Sequence, residues 1–253
     1  MPDELLYTRQ QALELHVPTS VTIVGCGGIG SWAAIDLAMS GVPYLYLFDP
    51  DVLEESNRNR LPFCQSSIGR PKVEVVAEYI RAIRPECVVV AIQERLQDLL
   101  LTVQLSVSQY ILDCTDSPKT QFTIYNACKR VAGVKYVRAG YDGTRVMVTA
   151  NVSGWIKTDV EEEAYQVNPS WVVPSQIVAA LAVGKILKYH DQEVSLDICE
   201  IGIPVLQRQT VSRLTARCRQ RPNAVLPDRG TVEIPHRTDV EMEREVRRRE
   251  QGR

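Results

Sequence analysis

Residues 21–60 read VTIVGCGGIGSWAAIDLAMSGVPYLYLFDPDVLEESNRNR. An apolar run of strand type enters a glycine-rich turn and then a helical stretch that Gly41 punctuates. A second apolar run, Tyr44–Phe48, ends in Asp49-Pro50-Asp51. This strand–turn–helix–strand order restricts the chain to a βαβ unit. In such a unit glycines serve a close backbone approach, because a side chain there would hold a ligand away.

Gly25, Gly27 and Gly30 fit the G-x-G-x-x-G spacing, with Gly28 inside it. The motif suits NAD, FAD and ATP alike, since each brings phosphate to the N-terminus of the following helix. Asp49 stands at the end of the next strand, where an acid accepts hydrogen bonds from ribose hydroxyls. Asp51 either joins it or holds the loop. Asn57 and Arg60 follow within one loop, and Lys72 opens the next helix. Two cations beside a pyrophosphate turn suit a polyphosphate and its developing charge. Asp116 lies just past a later strand, at the sheet edge where ligands bind, and a carboxylate beside a triphosphate suits Mg²⁺.

The remaining pattern predicts an α/β fold with a doubly wound, mainly parallel, Rossmann-like sheet. Residues 3–16 read as a short amphipathic helix or arm. Strands are expected at 20–25, 44–48, 88–92, 110–114 and 135–139. Helices are expected at 28–40, 72–83 and 120–132, with 96–105 helical or turn-rich. Val73, Val76, Ala77, Ile80 and Ile83 repeat at the helical period. After Gly143 the pattern turns antiparallel: a strand at 145–152, irregular residues 153–173 with the acidic run Glu161–Glu163, an apolar helix at 174–189, and a last strand at 197–202.

Charge separates the chain into two parts. Residues 207–253 hold 12 arginines, no lysine and seven acids, whereas the rest has an acidic excess. The tail reads as solvated or partner-docking, with a short basic helix at 211–221 and a charged stretch at 241–250. The seven cysteines are scattered without a C-x-x-C pair, so no zinc ribbon is encoded. An odd count without a signal peptide fits a reducing cytoplasm. No apolar run reaches membrane-spanning length.

Five separated motifs carry a resemblance: GCGGIG at 25–30, DPD at 49–51, SNRNR at 56–60, IGRPK at 68–72 and DCTDS at 113–117. Over about residues 5–205 the chain resembles the ThiF/MoeB/HesA family, adenylyltransferases related to ubiquitin-activating enzymes. The resemblance implies an adenylation domain over 1–206 with its nucleotide-binding core at about 18–143. It implies ATP and Mg²⁺ as cofactors and a homodimer. The expected substrate is the C-terminal carboxylate of a small ubiquitin-like or sulfur carrier ending in Gly-Gly. The carboxylate attacks the α-phosphate, giving an acyl-adenylate and pyrophosphate. The implied contacts are Gly28 under the phosphates, Asp49 on the ribose, Asn57, Arg60 and Lys72 on phosphates, and Asp116 on Mg²⁺. Tyr7-Thr8-Arg9-Gln10 resembles an N-terminal element whose arginine, here Arg9, reaches the partner's ATP.

The chain also departs from that family. It lacks the two C-x-x-C pairs of many relatives, so zinc is not expected. No cysteine lies between Cys128 and Cys199, which puts a conventional thiol step in doubt; Cys199 or Cys218 would have to substitute. Ser117 stands where relatives often carry Asn, which alters a ligand contact without removing the metal. Three rival readings remain: adenylation of a peptide or of a carboxylate on a modified tRNA nucleoside, a nicotinamide-dependent oxidoreductase, and a non-catalytic dimer scaffold. The oxidoreductase leaves Arg60 and Lys72 unexplained, and the intact acid and cation set argues against the scaffold.

Overall fold

The computed structural model describes residues 6–150, 169–188 and 194–198. The acidic run, residues 207–253, Cys199 and Cys218 lie outside the described residues. The elements are α1 (Thr8–Gln11), β1 (Ser20–Val24), α2 (Gly28–Met39), β2 (Tyr44–Phe48), α3 (Lys72–Ile83), β3 (Val88–Ile92), α4 (Asp98–Val107), β4 (Tyr110–Asp113), α5 (Pro118–Arg130), β5 (Lys135–Asp142), β6 (Arg145–Thr149), α6 (Val172–Lys188) and β7 (Val194–Asp197). One-turn 3₁₀ helices at Glu55–Asn57 and Gln65–Ser67 interrupt the loop between β2 and α3.

The seven strands among the described residues form one sheet in the order β3-β2-β1-β4-β5-β6-β7. β3, β2, β1, β4 and β5 run parallel, and β6 and β7 close the sheet antiparallel. β1 lies inside the sheet with all five residues buried, Ser20 and Thr22 among its apolar ones, as in a strand covered on both faces. Strand order reverses between β1 and β4. Connections leaving a reversal point diverge to opposite faces and leave a crevice beyond the carboxyl ends of the strands. The turn after β1 and the loop after β4 border that crevice.

One apolar layer packs β1, β2, β4 and β5 against α2, α3 and α6; a second lies under α4 and α5. α3 buries Val73, Val76, Ala77 and Ile80, the stripe its helical period demands. α2 is apolar almost all round, because the sheet, α3 and α6 enclose it.

Several boundaries differ from the sequence expectations for local reasons. α5 starts at Pro118 rather than Thr120. The Ser117 hydroxyl accepts the Thr120 N–H at 3.3 Å and Pro118 occupies the first helical position, where a missing N–H costs nothing. β5 runs on to Asp142 because a tight turn through Gly143, with φ +57°, folds it onto β6. The last described strand covers 194–197, with Val146 facing Leu196 across the β6–β7 ladder; residues 199–202 of the strand expected at 197–202 lie outside the described residues. Within the helix or arm expected at 3–16, the described residues hold the single turn α1, and residues 3–5 lie outside them. No helix among the described residues is long and apolar enough to cross a membrane.

Candidate nucleotide site

The glycine turn divides its duties residue by residue. Gly25 has φ +89°, a conformation side chains resist, and a Cβ there would lie 3.1 Å from the Cys114 carbonyl oxygen. A Cβ on Gly30 would fall 1.8 Å from the Gly25 carbonyl oxygen, so no larger residue fits. A Cβ on Gly28 would come 2.7 Å from the Ser175 Oγ of α6 and 3.1 Å from the Arg60 Cδ. The smallness of Gly28 therefore serves helix packing as well as any ligand. Gly27 alone faces open space, with nothing within 4 Å of its would-be Cβ. It is the N-cap of α2 and no side chain caps that helix, which leaves the first-turn N–H groups for an anion.

Asp49 is 5% exposed. Its Oδ2 accepts the Cys26 N–H at 2.7 Å and its Oδ1 the Asp51 N–H at 2.8 Å. The carboxylate thus ties the glycine turn to the loop after β2, and each oxygen keeps a second lone pair for a hydroxyl donor. Burial raises its pKa, while the Lys72 charge and the two N–H donors oppose the rise. Asp51 pairs with the Lys72 Nζ at 2.8 Å. The lysine is nearly buried whereas the Asp51 side chain is 63% exposed, so Asp51 holds the loop and aims the ammonium.

Asn57 is buried and caps its own turn: its Oδ1 accepts the Glu54 N–H at 3.1 Å. Arg60 is anchored from both sides. The Trp32 indole N–H of α2 donates to its carbonyl at 2.9 Å. Its Nη1 donates to the Ser56 carbonyl and to the Asn59 Oδ1, each at 2.9 Å. Nη2 and Nε make no hydrogen bond among the described residues, which leaves donors suited to phosphate oxygens.

At the end of β4, Asp113 is buried and accepts the Thr115 N–H at 2.9 Å, the Thr115 hydroxyl at 2.7 Å and the Tyr136 hydroxyl at 2.8 Å. The Gln121 Nε2 holds the Thr115 carbonyl at 2.6 Å. Asp116 therefore sits exposed between two tied residues, Thr115 and the cap Ser117. Among the described residues no group of three His, Cys, Asp or Glu side chains could cage a metal. A Mg²⁺ shared with phosphates needs no such cage, since one or two carboxylates and water complete its shell. Past β3, an open cleft of about 380 Å³ is lined by Glu94, Arg95, Gln97, Asp98, Leu99 and Leu100.

Gly25–Gly30, Asp49, Asp51, Asn57, Arg60, Lys72, Asp116 and Ser117 thus gather along the carboxyl edge. Arg9 does not join them. Tyr7 packs on Gly41, and the Gln10 Nε2 donates to the Ser40 carbonyl at 2.9 Å. Both contacts lie at the far end of the 12-residue α2, about 18 Å from the glycine turn at 1.5 Å per residue.

Other features carried no legible sequence signal. The Ser175 hydroxyl donates to the Trp171 carbonyl at 2.8 Å and lies 3.0 Å from the Tyr141 hydroxyl, from which it can accept. Tyr141 also meets Ser170. Arg138 is buried opposite Asp113 in the β4–β5 register. Cys64 is an exposed thiol whose pKa is lowered to about 7 by the hydroxyls of Ser66 and Ser67. Burial, reinforced by Asp49, pushes Cys26 well above its usual range; burial, reinforced by Asp113, does the same to Cys114.

Known proteins resemble this chain in sequence and in fold. The tRNA threonylcarbamoyladenosine dehydratase of Escherichia coli (strain K12) is 34% identical over 123 residues, 48% of this chain and 46% of that protein. The sulfur carrier protein ThiS adenylyltransferase of the same strain is 35% identical over 127 residues, 50% of this chain and 49% of its own length. The chain thus spans about half the length of the curated relatives it matches. The crystal structure of E. coli MccB with MccA-N7isoASN superposes with a TM-score of 0.60 at 20% identity, over 77% of this chain and 72% of that one. At that identity the likeness concerns the fold. The ThiF family profile matches residues 8–199, and the chain belongs to the ThiF family.

Proposed function

We propose that the protein is a homodimeric, ATP-dependent adenylyltransferase that activates the C-terminal carboxylate of a small ubiquitin-like or sulfur-carrier protein. The observation that carries this reading is the clustering of an open glycine turn, the Arg60 fork, Lys72 and Asp116 around one crevice at the strand-order reversal. A dinucleotide needs no second and third charge there; a triphosphate does.

In this reading Gly27 and the α2 N-terminus accept the phosphates, and Asp49 receives ribose hydroxyls. Arg60 and Lys72 neutralise charge on the phosphates. The residues fit Mg²⁺ as well: Asp116 would hold it, and the ion would draw charge from the phosphate oxygens and the departing pyrophosphate. A substrate carboxylate oxygen bonds to the α-phosphorus as the α–β bridging bond breaks, giving acyl-AMP and pyrophosphate. The protein's task is to bring two anions together and neutralise the charge that builds up. Arg9 serves only across a dimer, since its own arm docks at the distant end of α2. The five free cysteines among the described residues suit a reducing cytoplasm.

The second reading exchanges the carrier for a carboxylate on a modified tRNA nucleoside. The 34% identical dehydratase supports it. ATP–pyrophosphate exchange, run with a carrier ending in Gly-Gly and separately with tRNA, distinguishes the two. Asp116→Ala should abolish exchange while leaving the fold intact. Tight binding of a nicotinamide dinucleotide with no uptake of Mg-ATP by the folded protein would overturn both.

A further inference from the structure

The amide of Asn59 faces two groups at once. Its Oδ1 accepts from the Arg60 Nη1 at 2.9 Å, and its Nδ2 donates to the Ser170 carbonyl at 2.7 Å. The orientation is dictated by chemistry. A guanidinium only donates and a carbonyl only accepts, so flipping the amide would break both bonds. Ser170 lies just before α6, and the same stretch is held by the Trp171 indole N–H on the Gly143 carbonyl at 3.1 Å. Ser175, one turn on, rests against Gly28. Asn59 is thus a direct side-chain link between the phosphate-facing arginine and the backbone entering α6.

We propose that Asn59 is a positioning residue that couples polyphosphate binding at Arg60 to docking of the segment entering α6. This rests on the nucleotide reading above. With the Ser170 bond made, the amide oxygen is aimed at the Arg60 Nη1 and the guanidinium is held with Nη2 and Nε left to donate. With the segment released, the Asn59 amide is no longer fixed by Ser170, and the guanidinium it holds swings more freely. The coupling is reciprocal: phosphate on Arg60 holds the segment down, and a docked segment tightens the phosphate site. Only hydrogen bonds change, so no co-reactant is needed.

Hydrogen exchange at residues 171–175 and ATP kinetics, both on the full chain with Mg-ATP, test this. In wild type, nucleotide should slow exchange across that stretch severalfold. Asn59→Ala should raise the KM for ATP about tenfold, the scale of a bond to a charged group, and abolish the nucleotide-linked slowing. Its thermal midpoint should not move, since Asn59 is exposed. Asn59→Asp keeps an acceptor for Arg60 but has no donor for Ser170. It should lose the slowing while its KM rises less than that of Asn59→Ala. Wild-type KM together with wild-type slowing in Asn59→Ala would overturn the proposal. Should the wild type bind no ATP, the nucleotide reading fails separately. Nucleotide-free exchange then decides the tie itself: equal rates at 171–175 in wild type and Asn59→Ala would refute it.

Discussion

The hydroxyl of Ser175 occupies the place a side chain on Gly28 would need, with Oγ 2.7 Å from the would-be Cβ. Ser175 is fully buried and bonded to both Tyr141 and Trp171, so it has little room to yield. Gly28→Ala should cost about 1–3 kcal/mol of stability, as overpacking typically does. Adding Ser175→Ala should recover part of that loss. Urea denaturation of the two single variants and the double variant reads this coupling directly.

Gly27 gives the opposite expectation. A Cβ there meets no protein atom, and its φ of −76° is one any residue adopts. Gly27→Ala should leave stability within about 0.5 kcal/mol yet weaken Mg-ATP binding, because the methyl projects where the phosphates would approach. Calorimetry beside a melting curve separates the effects; unchanged affinity would remove this turn from the ligand site.

Burial raises the carboxyl of Asp113 above its ordinary value of 3.8, against the pull of the Thr115 and Tyr136 hydrogen bonds and the Arg138 charge. An acid raised in the folded state binds more protons folded than unfolded between its two pKa values. Its contribution to stability therefore falls as pH climbs above 3.8 and levels off past the native value. Asp113→Asn removes that titration while keeping an acceptor for Thr115. As pH climbs from 3.8, the wild type should lose more stability than the variant does. Parallel pH profiles would contradict the assignment.

Cys64 should be the thiol that alkylates fastest among the described cysteines. Its pKa is lowered to about 7, whereas burial lifts Cys87 to about 11 and Cys128 to about 12. Reactivity follows the thiolate fraction, so iodoacetamide labelling at Cys64 should be half-maximal near pH 7. Replacing both Ser66 and Ser67 with Ala should move the midpoint towards the ordinary value of 9.0. Mass spectrometry of the labelled peptides measures both.

The strands and helices that sequence reading located best are those whose pattern is local. α3 was legible to both ends because its apolar period starts and stops within the helix. β5 runs past its expected end at 139 because its last residues pair with β6, while their own sequence carries no strand signal. The site divides in the same way. Asp49, Arg60, Lys72 and Asp116 each follow or open a recognisable element, so topology alone carries them to one edge. Asn59 stood inside a legible motif, but its tie to Ser170 spans 111 positions.

Residue order alone established a βαβ glycine turn, a mainly parallel sheet and a line of acids and cations along its carboxyl edge. Those follow from short-range periodicity and from turns that only glycine tolerates. Packing decided the rest: that Gly28 yields its space to Ser175, that Asp51 spends its charge on Lys72, that Arg9 stands at the wrong end of α2 for its own site, and that Asn59 bridges Arg60 to α6. Each of these is a contact across elements, set by how helices seat on the sheet rather than by neighbours along the chain.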